Sequence, residues 1–153
     1  MIDTPQIVEL DEQITAVIRL TVPRAEIQRV MGNGMRELVQ TVNDQQIVMS
    51  SAVFTHHFKM DPAMFDFEIG VAVKSPVRPQ GRVRPGSLPG GRVARTIYHG
   101  PYEGLGAAWG EFEKWIAAEG LKAAPDLWES YVAGPESSPD PAQWRTEFNR
   151  PLI

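Results

Sequence analysis

The stretch RVARTIYHGPYEGL, residues 92–105, decides the fold around which the chain is organised. Residues 92–99 are predicted to form a strand, because β-branched residues stand among them and two sets of side chains alternate: Val93, Arg95 and Ile97 with Ala94, Thr96 and Tyr98. Gly100 and Pro101 supply a turn, because glycine tolerates unusual dihedral angles and proline fixes φ near the helical value. Over residues 105–116, apolar side chains recur every three or four residues, which predicts a helix that buries one stripe. The turn is expected to bring three side chains to one corner: His99, Tyr102 and Trp109.

The upstream half begins with the same order of elements. Alternating apolar and polar residues over residues 7–22 predict one long strand, which Pro23 ends. The apolar positions that follow Arg24 fall on one helical stripe, although two glycines interrupt it at about 1 kcal/mol each relative to alanine. We interpret Gly32 and Gly34 as marks of a kink or of a close approach to a neighbouring element.

Each predicted helix is followed by a pair of strands. They are predicted at residues 51–59 and 64–73, joined by a turn at Asp61 and Pro62, and at residues 127–134 and 144–152, joined by a loop over residues 135–141. Between the halves, residues 74–91 are rich in proline and glycine and show no apolar periodicity. With Arg92 this stretch carries five basic residues, and we interpret it as a solvated connection, with a docking site for an acidic partner as the alternative.

The order strand, helix, strand, strand therefore occurs twice, at a shift of 78 to 79 residues. This weak internal duplication predicts an α+β fold with antiparallel sheets, built of two similar modules in a pseudo-twofold arrangement with a ligand cleft between them. We place the half-modules at about residues 5–74 and 91–153, with residues 75–90 as the linker. Together they form a single domain over residues 1–153.

Composition excludes several classes of function. The net charge of −4 and a pI near 5.4 argue against nucleic acid as a partner, since phosphate binding needs a basic face. The absence of cysteine removes disulfides, thiol nucleophiles and thiolate metal sites. No secretory leader and no run of about 18 apolar residues is present, so a cytoplasmic protein without a membrane partner is expected.

Glu147 is the carboxylate that the sequence singles out. In a strand Glu147 and Phe148 point to opposite faces, so Glu147 lies on the surface that does not meet the helices if Phe148 does. Tyr131, which shares a face with Glu129 in the preceding strand, is expected beside Glu147. A carboxylate among aromatic rings binds organic cations or, when protonated, acts as an acid. The alternative is an exposed glutamate on a solvated sheet face.

The histidines predict no metal site. His56 and His57 are adjacent, so in a strand they point to opposite faces and do not grip one ion together. His99 is a candidate general base or, alternatively, a residue that stabilises the turn, and no nucleophile elbow accompanies it. No cofactor-binding motif is present either.

Four features belong together: the run LPGGRVARTIYHGPYEGL (residues 88–105), the helix ending in Trp115 and Ile116, Tyr131 before a proline-containing loop, and the terminal TEFNRPL. With them the chain resembles the GyrI-like small-molecule-binding family, the module that also forms the effector-binding half of AraC-type and BmrR-type transcription regulators. The resemblance implies two strand-helix-strand-strand (SHS2) modules with a cleft between them. It also implies a pocket glutamate at Glu147 and a pocket tyrosine at Tyr131.

The resemblance implies three functions. The first is a stand-alone protein that senses or sequesters a hydrophobic small molecule, planar or aromatic and also cationic, since too few residues precede the first strand for a helix-turn-helix domain. The second is a hydrolase of cyclopropanoid toxins, with Glu147 activating water and Tyr131 as hydrogen-bond donor. The third is an inhibitor that binds a protein partner, as gyrase-inhibiting members do. The predicted ligand-binding residues are Glu147, Tyr131, His99, Tyr102, Trp109, Phe54, Met31 and Met35.

Overall fold

A computed structural model describes residues 1–60 and 63–153. Its strands are β1 (Gln6–Leu10), β2 (Gln13–Pro23), β3 (Phe54–Met60), β4 (Met64–Ala72), β5 (Val83–Leu88), β6 (Gly91–His99), β7 (Leu127–Ala133) and β8 (Arg145–Pro151). Its helices are α1 (Ile27–Asp44) and α2 (Leu105–Ala118), with short 3₁₀ turns at Arg24–Glu26, Tyr102–Gly104 and Pro141–Gln143. The strand pairs β1–β6, β6–β8, β7–β8, β2–β4, β2–β5 and β3–β4 are antiparallel, and with the two helices they confirm the predicted α+β fold. The predicted turn at Asp61 and Pro62 lies outside the described residues.

The prediction of one strand over residues 7–22 is wrong. The structure has two strands, β1 and β2, separated at Asp11 and Glu12. The reason is pairing: β1 pairs with β6, whereas β2 pairs with β4 and β5. One alternating sequence thus forms two strands with different partners, and alternation alone does not report which partner a strand has.

The interpretation of residues 74–91 as a connection without regular structure is also wrong. β5 occupies its second part and pairs with β2 in the register Val83↔Ile18 to Leu88↔Gln13. This strand contains Pro85 and Gly86, which weaken the alternation that would have revealed it. β5 lies at the end of its row of strands, where a proline is tolerated because one side of the strand needs no ladder bonds.

The chain divides into two compact units. Unit 1 comprises Met1–Leu10 and Gly91–Ile153, and unit 2 comprises Asp11–Gly90. Residues 5–10, predicted to belong to the first module, therefore belong with the second half. Neither helix in the described ranges is long and apolar enough to cross a membrane.

Unit 1 has four strands in the order β1-β6-β8-β7, with α2 packed on one side. We call the side that meets α2 the helix face. Its strands contribute Ala94, Tyr98 and Phe148 to a core completed by three α2 residues: Ala108, Phe112 and Ile116. The predicted stripe of α2 is thus its buried face.

Unit 2 repeats this plan with the strand order β3-β4-β2-β5 and α1. Its core combines strand and helix residues: Ala16, Ile18, Phe67, Ile69, Val71 and Val83 with Leu38 and Val42 of α1. Gly34 of α1 is buried, and a Cβ placed on it would lie 2.5 Å from Cδ1 of Ile69. The predicted close approach is therefore present at Gly34. Gly32 has open space around it.

Candidate ligand-binding site

The turn that joins β6 to α2 sets the position of the site. Gly100 has a φ of +140°, a conformation that glycine adopts far more readily than other residues. Pro101 is extended and precedes the 3₁₀ turn as its cap, rather than standing inside the first helical turn. The hydroxyl of Tyr98 donates a 2.8 Å hydrogen bond to the carbonyl oxygen of Pro101, which ties the turn to the core. Tyr102 and Trp109 are positioned by the chain that continues from this fixed turn.

The register of β7 against β8 places Glu129 and Tyr131 on the helix face. Glu129 lies opposite Phe148, a core residue of that face, and Tyr131 lies opposite Thr146. Directly opposed residues of an antiparallel pair point to the same side of a sheet. A carboxylate therefore stands on the side of the sheet that otherwise holds the hydrophobic core.

Two donors hold the carboxylate of Glu129. The indole N–H of Trp109 donates to Oε1 over 2.6 Å, and the Tyr131 hydroxyl donates to Oε2 over 2.9 Å. Each oxygen has thus one partner, and a carboxylate accepts about four hydrogen bonds in all. Among the described residues, no further hydrogen bond to these two oxygens is formed.

The environment of Glu129 raises its pKa. Burial of the carboxylate is the larger cause, and the hydrogen bonds from Trp109 and Tyr131 act in the opposite direction. Glu129 as a whole residue nevertheless keeps part of its surface accessible. The carboxylate is therefore crowded by protein atoms, and in the described part of the chain it forms no ion pair.

Aromatic rings surround this carboxylate. Trp109 stacks on Phe148 with ring centroids 4.3 Å apart and planes inclined by 7°. Tyr102 meets Tyr131 edge-on at 6.0 Å. Tyr102 also packs at 4.9 Å against Trp144, whose indole N–H donates to the carbonyl oxygen of Ser138. We call these five residues the aromatic cluster: Tyr102, Trp109, Tyr131, Trp144 and Phe148.

Glu147, by contrast, lies on the opposite face of the sheet. It stands opposite Ser130 and Ile97, so the expected placement of Tyr131 beside Glu147 is wrong. The pairing of the two strands puts Ser130 there, and Tyr131 one residue further on points to the other side. The structure thus does not bring together the pair proposed for hydrolysis.

Polar protein groups already surround Glu147. Asn149 donates a 3.2 Å hydrogen bond to Oε1 of Glu147, and Nε of Arg95 lies 3.5 Å from the same oxygen. Nε of Arg95 also donates to the side-chain oxygen of Asn149 over 2.7 Å. Glu147 is therefore a member of an internal polar network rather than a carboxylate left without a cation.

The other predicted site residues are dispersed. Nε2 of His99 lies 2.7 Å from a carboxylate oxygen of Asp3, in line with the alternative that it stabilises the turn, and is not placed at the aromatic cluster. Phe54 belongs to unit 2, where it is fully buried and its ring fills the space beside Gly70. Met31 and Met35 pack against the core of unit 2. Within unit 1, the structure brings three of the predicted residues together: Tyr102, Trp109 and Tyr131.

Glu129, Trp144 and Phe148 are the residues that the ligand-site prediction missed. The alternation of β7 already puts Glu129 on the same face as Tyr131, and this was the available signal. Which of the two faces meets α2 depends on the register with β8, and a sequence pattern does not specify that register. Among the described residues, no group of three or more histidine or acidic side chains is arranged to hold a metal ion.

A surface depression of unit 1 lies outside the aromatic cluster. Its volume is about 410 Å³, and it is open to solvent. Its lining residues are Ile2, Asp3, Thr4, Pro5, Glu111 and Trp115. It shares no residue with the cluster, and the chemistry that points to a ligand is at Glu129.

Fold and site together define an α+β domain of the small-molecule-binding class, with a crowded carboxylate inside an aromatic cluster. Comparison with protein families agrees with this class over almost the whole chain. The chain belongs to the family of the GyrI-like small molecule binding domain, whose model matches residues 3–152. Comparison with curated proteins gives no match.

Solved structures share the fold at low sequence identity. The C-terminal domain of EcmrR has a TM-score of 0.86 at 21% identity, over 98% of this chain and 97% of that domain. In the EcmrR–DNA complex the TM-score is 0.82 at 22% identity, and this chain matches 97% of its own length but only 57% of the regulator's. SAV2435 bound to tetraphenylphosphonium has a TM-score of 0.62 at 11% identity, over 99% of this chain and 97% of that one.

Proposed function

We propose that this domain binds hydrophobic organic cations of planar or aromatic shape, with Glu129 as the anionic partner and the aromatic cluster as the surrounding surface. The observation that carries the proposal is the carboxylate of Glu129, held by Trp109 and Tyr131 and without an ion pair among the described residues. An isolated charge in such surroundings is costly unless a cation or a proton compensates it. A ligand cation would supply that compensation.

The rings favour the same ligand class. Cations are attracted to the faces of tryptophan and tyrosine, and apolar ligand surface is removed from water against them. Tyr102, Tyr131, Trp144 and Trp109 keep part of their surface accessible, so a ligand would reach them from solvent. Tetraphenylphosphonium, the compound bound to SAV2435, combines four rings with one positive charge and is the natural first probe. Such binding would suit the sensing or the sequestration of a small molecule.

The test compares two glutamates of unit 1 by calorimetric titration with tetraphenylphosphonium. Glu129→Gln removes the charge and should weaken binding roughly tenfold or more, because charge pairs in partly desolvated surroundings contribute several kcal/mol. Glu147→Gln makes the same charge change on the opposite sheet face and should leave the affinity within about twofold. Loss of binding in Glu147→Gln, with Glu129→Gln unaffected, would overturn the assignment in favour of Glu147.

Two further readouts separate charge from shape. Triphenylphosphine oxide, a neutral aromatic analogue, should bind the wild type and Glu129→Gln alike. The affinity for the cation should rise with pH through the raised pKa of Glu129, since only the ionised carboxylate attracts it, and should be flat in Glu129→Gln. A wild-type affinity that does not change with pH or with ligand charge would contradict a role for the carboxylate.

A further inference from the structure

We propose that the aromatic cluster is built for elongated dications, with one cationic centre at Glu129 and the second at Glu136 on the loop that follows β7. This inference rests on the proposed function of Glu129 and specifies its ligand class. The first observation is the position of Glu136. A Cβ placed on Gly134 would lie 2.6 Å from the hydroxyl oxygen of Tyr102 and 2.9 Å from Oε2 of Glu136. Both oxygens thus border the same small volume above the loop backbone.

Because Gly134 has no side chain, the Tyr102 hydroxyl and the Glu136 carboxylate both fit beside it. Any side chain at that position would meet both the tyrosine hydroxyl and the carboxylate at less than van der Waals distance. Gly134 is itself buried, whereas Glu136 is exposed. The loop therefore presents an accessible carboxylate at the outer end of the Tyr102 ring.

Tyr102 stands between the two carboxylates. Its ring meets Tyr131 at 6.0 Å, and the Tyr131 hydroxyl donates to Glu129. Its own hydroxyl borders Glu136. Burial raises the pKa of Tyr102, and the negative charges of Glu136 and then Glu129 raise it further, so both carboxylates act on this one side chain. A ligand lying across Tyr102 and Tyr131 would meet an anion at each end.

The two anions contribute differently. Glu136 has no ion-pair partner in the part of the chain that the structure describes, and it faces solvent. An exposed charge is screened, so Glu136 should increase the affinity for a second cationic centre only about fivefold and should do so mainly at low salt. Glu129 supplies the larger part of the attraction for the first centre.

The experiment uses matched ligands that differ only in the second charge. Hexyl-, octyl- and decyltrimethylammonium are compared with the bis(trimethylammonium) alkanes of the same lengths, by calorimetry on the full chain. For at least one length the dication should bind the wild type about fivefold tighter than its monocation, beyond the twofold that two equivalent ends provide. The gain should disappear in about 0.5 M NaCl.

Three variants locate the second centre. Glu136→Gln should abolish the preference for the dication and should lower monocation affinity by no more than about twofold, since an exposed charge is screened. Glu119→Gln, which removes a charge at the far end of α2, should retain the preference. Gly134→Ala should reduce it, because its Cβ displaces the Tyr102 hydroxyl and the Glu136 carboxylate.

The outcomes distinguish failure of the dication inference from failure of the proposed function on which it rests. Monocations that bind through Glu129 with no gain for any dication, or a gain that survives in Glu136→Gln, would overturn the dication inference alone. If the wild type binds neither kind of cation, the proposed function fails and the dication inference fails with it.

Discussion

At the scale of single residues, position on the sheet decides what a carboxylate does. Glu129 and Glu147 stand on neighbouring strands of one sheet, but on opposite faces. Glu129 is surrounded by rings and two neutral donors, so burial raises its pKa. Glu147 has Arg95 and Asn149 beside it. Identical chemistry thus leads to a candidate ligand partner in one case and to an internal polar network in the other.

His57 gives a prediction at the same scale. Burial, with smaller contributions from His56 and Arg24, lowers its pKa to about 4, from the 6.5 expected of the unfolded chain. The unfolded state therefore binds more protons between these values, so the stabilisation is complete above pH 6.5 and is lost as pH falls toward 4, by up to roughly 3 kcal/mol. His57→Phe, which retains a ring against Phe67, should flatten this loss in urea denaturation measured from pH 7.5 to 4.

Phenylalanine removes Nδ1 of His57, a buried atom with no hydrogen-bond partner among the described residues. The wild type at pH 7.5, where His57 is neutral, is the internal control for any cost of the substitution itself. A variant whose stability falls as steeply with acid as that of the wild type would assign the loss to other groups.

At the scale of elements, α1 shows how one helix accommodates two glycines for different reasons. Gly32 faces open space, whereas Gly34 is buried against the side chain of Ile69. Gly32 weakens the helix without any compensating contact. Gly34 allows α1 to approach β4 more closely than alanine would.

Alanine substitutions test this difference. Gly32→Ala should stabilise the domain by about 0.5–1 kcal/mol, because alanine has the higher helix propensity and meets nothing. Gly34→Ala should be destabilising by about 1 kcal/mol despite the same propensity gain, since its Cβ would lie 2.5 Å from Cδ1 of Ile69. Chemical denaturation of both variants measures the two changes.

A third variant identifies the clash. Ile69→Val deletes the Cδ1 methyl, so combining it with Gly34→Ala should cost less than the sum of the two single changes. Strict additivity would show that Gly34 is required for another reason. A destabilised Gly32→Ala variant would contradict the open space around that position.

At the scale of the whole molecule, the two units each have a helix, four strands and a core of their own. The candidate site, however, is assembled from unit 1 residues only. Glu129 and Tyr131 come from β7, Trp109 from α2, Tyr102 from the turn before α2, and Trp144 from the residue before β8. The core of unit 1 supports them through Phe148, on which Trp109 stacks. Stability and ligand binding should therefore respond differently to core substitutions in the two units.

Matched core variants test this separation. Phe148→Leu in unit 1 and Val71→Ala in unit 2 should each destabilise the protein by roughly 1–2 kcal/mol. Only Phe148→Leu should weaken tetraphenylphosphonium binding, by about threefold to tenfold, because Trp109 loses the ring on which it stacks and its hold on Glu129. Calorimetry well below the unfolding temperature measures both affinities. Equal weakening by Val71→Ala would show that the site also depends on the core of unit 2.

Much of the fold was predictable from local pattern. Helical stripes predicted both helices, and alternation predicted β3, β4, β6, β7 and β8 near their observed bounds. The two wrong predictions, of one strand over residues 7–22 and of no strand within residues 74–91, have the same cause. Pairing partners decided that residues 7–22 form two strands, and pairing with β2 makes a strand of Val83–Leu88 despite its proline and glycine. Strand pairing joins residues far apart in sequence, so no local pattern reports it.

The sequence by itself determined the class of the domain, the turn at Gly100, the stripe of α2 and the alternation that links Glu129 with Tyr131. Only the tertiary structure decided that this pair, and not Glu147, stands on the helix face. The physical reason is that a one-residue difference in register reverses which face of a strand meets the core, and the register is set by all the contacts of the sheet together. The tertiary structure also brought the indole N–H of Trp109 to Glu129 and the carboxylate of Glu136 beside Gly134 and the Tyr102 hydroxyl.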